Sequence, residues 1–269
     1  MMKKSLDKIH DLPRIPKVAR ELLQSIQNDD AKIEEIASKI TMDQAISAKV
    51  LRMANSAHYG GRGNIGSIDD AIVRLGFNSL RTLVIASGVT TVFSDIENID
   101  KESFWVESFT VAVIAKEIAT MAKEDKETAF TCGLLHNIGF MLICLAEPTY
   151  LAALDEQNTT PSMRAKTQQA LIGYTEHAVG SALAVKWGFP KLIQDAIAHQ
   201  AQPEAAEADH QTMTKILYLA TSIFESGELS AEYVPQSIID SLRINKEELA
   251  SKLADLRKKG EEFYQLLNG

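Results

Sequence analysis

Apolar residues recur at steps of three and four along almost the whole chain, and nowhere does a second strand-like segment appear. Leu83 to Phe93 is the one stretch rich in β-branched residues. Its apolar positions do not alternate with polar ones, and no partner strand exists for it to pair with. A lone strand cannot satisfy its backbone groups, so this stretch is expected to be a buried helix. The pattern predicts an all-α protein.

Local signals punctuate that pattern. Pro16 suits a first helical position ahead of Val18, Leu22, Leu23 and Ile26, and Asn28-Asp29-Asp30 reads as the stop. Ile33, Ile36, Ala37 and Ile40 make a second stripe, and Ile46, Val50, Leu51 and Ala54 a third. Ser67 with Asp70 resembles a capping box, and Gly76 fits the position after a helix end. The run from Gly60 to Gly66 holds four glycines but lacks the Gly-Lys-Ser/Thr end of a phosphate loop, so it reads as a connector. Asn55 and Ser56, just before it, are expected to cap and turn the chain. Further helices are expected near 102–123, 127–146, 161–172, 176–187, 190–199 and 211–225.

The polar break from Ser94 to Lys101 suggests two packed lobes: residues 1–95, and 96–245 followed by a helical tail at 246–269. In that tail Leu249, Leu253, Leu256, Gly260, Phe263 and Leu267 form a heptad-like stripe. Packing back onto its own lobe is the expectation, with a partner-binding helix as the alternative.

Charge and cysteine content restrict the function. A net charge of −8 and only short basic stretches such as Arg257-Lys258-Lys259 argue against nucleic-acid binding. The longest clean apolar run, Phe140 to Ala146, falls short of a bilayer span, and no signal-peptide core follows the N-terminal lysines. A cytoplasmic protein without membrane contact is expected. Cys132 and Cys144, if on one helix, lie about 18 Å apart along it and cannot form a disulfide. They read as small buried apolar residues in a reducing compartment.

Among six histidines, His136 stands out. It sits with Asn137 inside the apolar run Gly133-Leu134-Leu135-His136-Asn137-Ile138-Gly139, where a polar pair must find partners. The flanking glycines leave room for something to approach. A core histidine bonded to a backbone carbonyl is the plainer alternative. Glu176 and His177 open a helix, where a carboxylate is favoured by the dipole. His199 closes one and is placed to meet its last carbonyls. Trp105 and Trp187 read as core.

These residues carry a resemblance. Leu12-Pro13-Arg14-Ile15-Pro16, Asn55-Ser56-Ala57 with Tyr59, Ala71-Ile72 with Leu75-Gly76, and Phe104-Trp105 occur in order. Leu135 to Gly139, Glu176-His177 with Gly180, Trp187-Gly188-Phe189-Pro190 and Ala198-His199 follow them. Over residues 10 to about 225 the set resembles the HDOD family of bacterial signalling proteins, relatives of HD-domain metal phosphohydrolases. The departures are Gln44 after Asp43, where proline is usual, and Gln200 after His199, where a second histidine is common. The resemblance implies an HD-like second lobe whose site positions fall at Glu107, His136, Asn137 and Thr221. Only the histidine matches an HD enzyme's ligand set. An amide and a hydroxyl are poor replacements for carboxylates around a divalent cation.

The expectation is therefore a non-catalytic signalling module with a vestigial site and no cofactor. Its partners would be other signalling proteins, and a nucleotide-like ligand in the old cleft is a further expectation. The alternative is a phosphohydrolase with an altered site, its metal held by Glu107, His136, His177 and His199.

Overall fold

The computed structural model describes residues 14–25, 33–56, 65–93, 99–146, 150, 161–226 and 235–268. Among the described residues there are fourteen α-helices, two short 3₁₀ turns and no strand. The helices are α1 (Lys17–Ser25), α2 (Ile33–Met42), α3 (Gln44–Ala54), α4 (Ile68–Leu75), α5 (Phe77–Val92), α6 (Lys101–Ala122) and α7 (Lys126–Leu135). They continue as α8 (Ile138–Ala146), α9 (Pro161–Leu171), α10 (Glu176–Trp187), α11 (Lys191–His199), α12 (Gln211–Glu225), α13 (Gln236–Leu242) and α14 (Lys246–Asn268). Leu83 to Phe93 falls almost wholly in α5, whose residues Leu83 to Thr90 are all buried. An all-round apolar helix has no amphipathic face because it is surrounded, and that is why its sequence resembles a buried strand.

The helix ends follow their side chains. The Asp43, Ser67, Asp100, Asp125 and Thr175 side chains each accept the backbone N–H three residues on. Gly76 and Gly188 follow helix ends at φ of 76° and 81°, where a side chain would be strained. The Asn55 amide donates to the Ile65 and Leu51 carbonyls and accepts from the Ile65 N–H, so it staples the two ends of the glycine-rich connector. Residues 57–64, which include most of that connector, lie outside the described residues.

Two hydrophobic clusters form. The smaller contains Ala19, Leu22, Ile40, Val50, Ile68 and Leu80 from α1 to α5. The larger is centred on α6, buried along most of its length and covered by α7, α12 and α14. Helix α5 supplies residues to both, with Leu80 and Val84 in the first and Leu83 and Ile85 in the second. A buried ion pair fastens the same seam: Lys116 donates to Glu127 at 2.9 Å, and Ser79 of α5 donates to the same oxygen at 3.2 Å.

The C-terminal helix packs onto its own protein. Leu249, Leu253, Leu256, Phe263 and Leu267 are buried, and Phe263 stacks on Phe109 at 6.0 Å. Gly260 lies directly on Thr110 of α6, so a Cβ there has no room. Gly260 falls in the heptad stripe because two backbones touch at that point. Arg52 of α3 donates to the Leu266 carbonyl and ties this helix to the first cluster.

Lys126–Ala146, taken as one stretch, is long and apolar enough to cross a membrane, although its longest uninterrupted apolar run is short. Its apolar window is 89% buried inside the protein. Both cysteines lie here, free and buried, on either side of a break at His136-Asn137 rather than on one unbroken helix. Trp105 and Trp187 are buried in the larger cluster.

Candidate functional site

The break between α7 and α8 arises from competition for backbone carbonyls. His136 Nδ1 donates to the Gly133 carbonyl at 2.7 Å, an acceptor the helix would otherwise use. The Phe140 N–H turns to Asn137, and the His136 carbonyl is taken by the Gln200 amide at 2.8 Å. Gln200, which stands where a second histidine is common, is thus a buried clamp on the turn. Both polar side chains of the turn face the interior between α6, α9 and α10.

The glycines beside them do leave room, and protein fills it. A Cβ on Gly133 would meet the Ala112 backbone of α6, and one on Gly139 would meet the Glu176 carbonyl and Gly180 amide of α10. Nothing about either glycine calls for an approaching ligand.

The four expected positions meet only in part. Asn137 donates to Glu107 at 3.3 Å and accepts from Ser108 at 3.0 Å. His136 Nε2 lies 3.6 Å from the same Glu107 oxygen. Thr221 lines the same pocket, but its hydroxyl donates to the Leu217 and Tyr218 carbonyls of its own helix. Glu176 and His177 line this pocket as well. His199 does not join them. Its Nε2 sits 3.4 Å from Asp195, one turn back, rather than at the last carbonyls of its helix.

The residue the sequence did not single out is Arg164 of α9. Its side chain is 14% exposed and lies over the Phe140 ring at 4.7 Å. Its Nε is 3.3 Å from Glu176, and its guanidinium is 3.9 Å from Glu107. One helical turn on, Gln168 donates to Glu176 at 2.9 Å and accepts the Glu176 N–H at 2.6 Å. Polar residues four apart on one face were the available signal. The partner lies on another helix, which spacing does not reveal.

The electrostatics follow from this arrangement. Burial pushes the Glu107 carboxyl up, but His136, Arg164 and Asn137 together hold it below the ordinary carboxylate range. Burial opposes the charge on Arg164, and Glu176, Glu107 and Glu225 more than restore it. His177 is lowered by burial, with His136 and Arg164 adding to the effect. Glu225 is raised by burial and by repulsion from Glu107 and Glu176. It is the one carboxylate here with no hydrogen bond or ion pair among the described residues.

The pocket encloses about 250 Å³ and is lined by His136, Arg164, Glu176, His177, Tyr218 and Thr221 among others. A larger groove of about 760 Å³ runs between Ser56, Glu102, Val106 and α14, and shares no lining residue with it. Among the described residues no three His, Cys, Asp or Glu side chains come together to hold a metal ion.

A helical lobe centred on α6, with an interior His-Asn turn facing a small polar pocket, is the arrangement of an HD-like domain. The chain belongs to the HDOD domain family, whose model matches residues 12–203. It is 33% identical to a protein of Shewanella amazonensis SB2B, provisionally named a phosphohydrolase, with a TM-score of 0.83 over 98% of this chain and 97% of that one. An HDOD domain protein of unknown function from Geobacter sulfurreducens shares the fold at 22% identity and a TM-score of 0.81, covering 97% and 96% of the two chains. So does a Marinobacter aquaeolei VT8 protein, provisionally named a signal transduction protein, at 20% identity and a TM-score of 0.79, covering 96% and 60%. An uncharacterized protein of Treponema pallidum (strain Nichols) is 27% identical over 249 residues. Those residues are 90% of this chain, which spans about half (48%) of that curated relative.

Proposed function

We propose that this protein is a non-catalytic regulatory module of bacterial signalling that works by binding, with other signalling proteins as its partners. One observation carries the reading: the two carboxylates nearest His136 and Arg164 already face a guanidinium and side-chain amides. Glu107 faces the Asn137 amide and the Arg164 guanidinium, Glu176 is hydrogen-bonded by Gln168 and faces Arg164, and the Thr221 hydroxyl is turned into its own helix. The residues present do not fit a divalent metal. Hydrolysis of a phosphate ester needs an activated water and compensation of charge on the phosphoryl oxygens. A lone histidine acting as general base contributes about 10²–10⁴-fold, far short of such barriers.

The provisional name of the Shewanella relative favours a second reading, a phosphohydrolase with an altered site. A turnover assay separates the two, using a generic phosphodiester, nucleotides and cyclic dinucleotides with manganese or magnesium. The expected result is no turnover above buffer. Activity abolished by His136→Ala and by Glu107→Ala, in variants that keep their helical circular dichroism, would establish the hydrolase instead.

A further inference from the structure

We propose that Arg164 is the resident cation of this pocket: a tethered guanidinium that the surrounding carboxylates hold as they would hold a bound ligand. The proposal rests on the non-catalytic reading of the same site. The residues around Arg164 come from five separate elements. Glu107 belongs to α6, His136 to the α7–α8 turn, Phe140 to α8, Glu176 to α10 and Glu225 to the end of α12. The guanidinium lies within ion-pair distance of Glu107 and of Glu176, without a hydrogen bond from its buried Nε, and over the ring of Phe140. Two carboxylates and an aromatic face are what a free guanidinium ion would select. The site is also built around it. Glu176 is buried, and Gln168 fixes it from both its carboxylate and its backbone N–H.

The alternative is an ordinary surface ion pair, worth little to the fold. Burial argues against that. Without a cation, Glu176 would be buried with only the Gln168 amide beside its charge, in a pocket where Glu107 and Glu176 already repel Glu225. Uncompensated buried carboxylates are strongly destabilising, whereas a compensated pair is close to neutral. Arg164 therefore compensates the pocket's carboxylates without any exogenous cation, and removing its side chain leaves a cavity of matching shape and charge. That cavity is the predicted binding site for a small planar organic cation.

The test is chemical rescue of Arg164→Ala, read by thermal unfolding. Its Tm is expected to fall on the order of 10 °C. Methylguanidinium at low millimolar concentration, well below denaturing levels, is expected to restore at least half of the loss and to leave the wild type unchanged. Sodium chloride at equal ionic strength, or neutral N-methylurea, is expected to restore none. No rescue, or equal rescue by either control, overturns the proposal. Should Arg164→Ala not fold, Arg164→Met/Glu176→Gln serves in its place, because it removes the cation together with one carboxylate. This double variant is expected to fold, and its failure to do so would count against charge compensation. Turnover is scored separately. Metal-dependent hydrolysis by the wild type defeats the non-catalytic reading, while absent rescue in an inactive protein defeats only this inference.

Discussion

Two acid–histidine clusters use nearly the same residue types, yet they are built in opposite ways. One gathers Glu107, His136, His177, Glu176 and Glu225 around Arg164, from positions spread between residues 107 and 225. The other lies wholly within residues 191–210. There Asp195 accepts the Glu207 N–H at 2.8 Å and His210 Nδ1 at 3.1 Å, and pairs with His199 at 3.4 Å. The first has a permanent cation at its centre. The second has only two histidines and the exposed Lys191, which pairs with Glu207. A cluster assembled from distant helices fastens the whole lobe, whereas one assembled from neighbours fastens a single bend of the chain.

The comparison breaks hardest at the seam under the first cluster. In Gly139→Ala the new methyl group meets backbone of α10 on two sides, and neither can yield as a side chain would. The expected cost is about 3 kcal/mol or more, with loss of soluble folded protein at 37 °C. Normal yield and an unchanged Tm would mean that α8 and α10 do not meet as described. Asp195→Ala strands the Glu207 N–H and both rings, for an expected loss of about 1–3 kcal/mol. Hydrogen exchange should then quicken in residues 200–210 and stay slow in α6. Uniform acceleration would show that the second cluster is not local.

Acid sharpens the contrast further. Burial pushes the Asp195 carboxyl up, but the Glu207 N–H, His210, His199 and Lys191 bring it below its ordinary value, and Glu107 is likewise depressed. A depressed carboxyl stabilises the fold above its unfolded value, about 3.9 for Asp and 4.3 for Glu, and that contribution is lost as pH falls through the folded value. Asp195→Asn and Glu107→Gln should each lower Tm at neutral pH and flatten its decline below about pH 5. An acid limb parallel to wild type in both would refute the assignment. Glu225 has the opposite sign, since its raised carboxyl is a liability once ionised. Glu225→Gln should therefore raise stability at pH 7, by about 0–1 kcal/mol given its solvent contact, and the gain should vanish near pH 4.

What could be read from the sequence follows the same division between local and distant. Ser67 with Asp70, Gly76 and the stripe from Leu249 to Leu267 were legible because caps and helix faces are settled within a few residues. His136-Asn137 was legible as an anomaly, since two polar groups in an apolar run must be satisfied somewhere. Arg164 was not, because an arginine on a helix of mixed polarity looks solvated until the fold brings Glu107 and Glu176 to it. The glycines beside His136 were legible as close approaches but not as approaches of backbone. A missing Cβ records that something comes near and gives no indication of what.

Helix α6 is wrapped by α7, α12 and α14 and buried without interruption from Ser108 to Ala115. No partial opening that leaves those three helices in place can bring its amides into contact with solvent. Its slowest deuterium uptake therefore measures the free energy of unfolding the entire lobe, a gauge built into the protein. Every substitution around Arg164 can be read on that one helix without a denaturant or a temperature ramp.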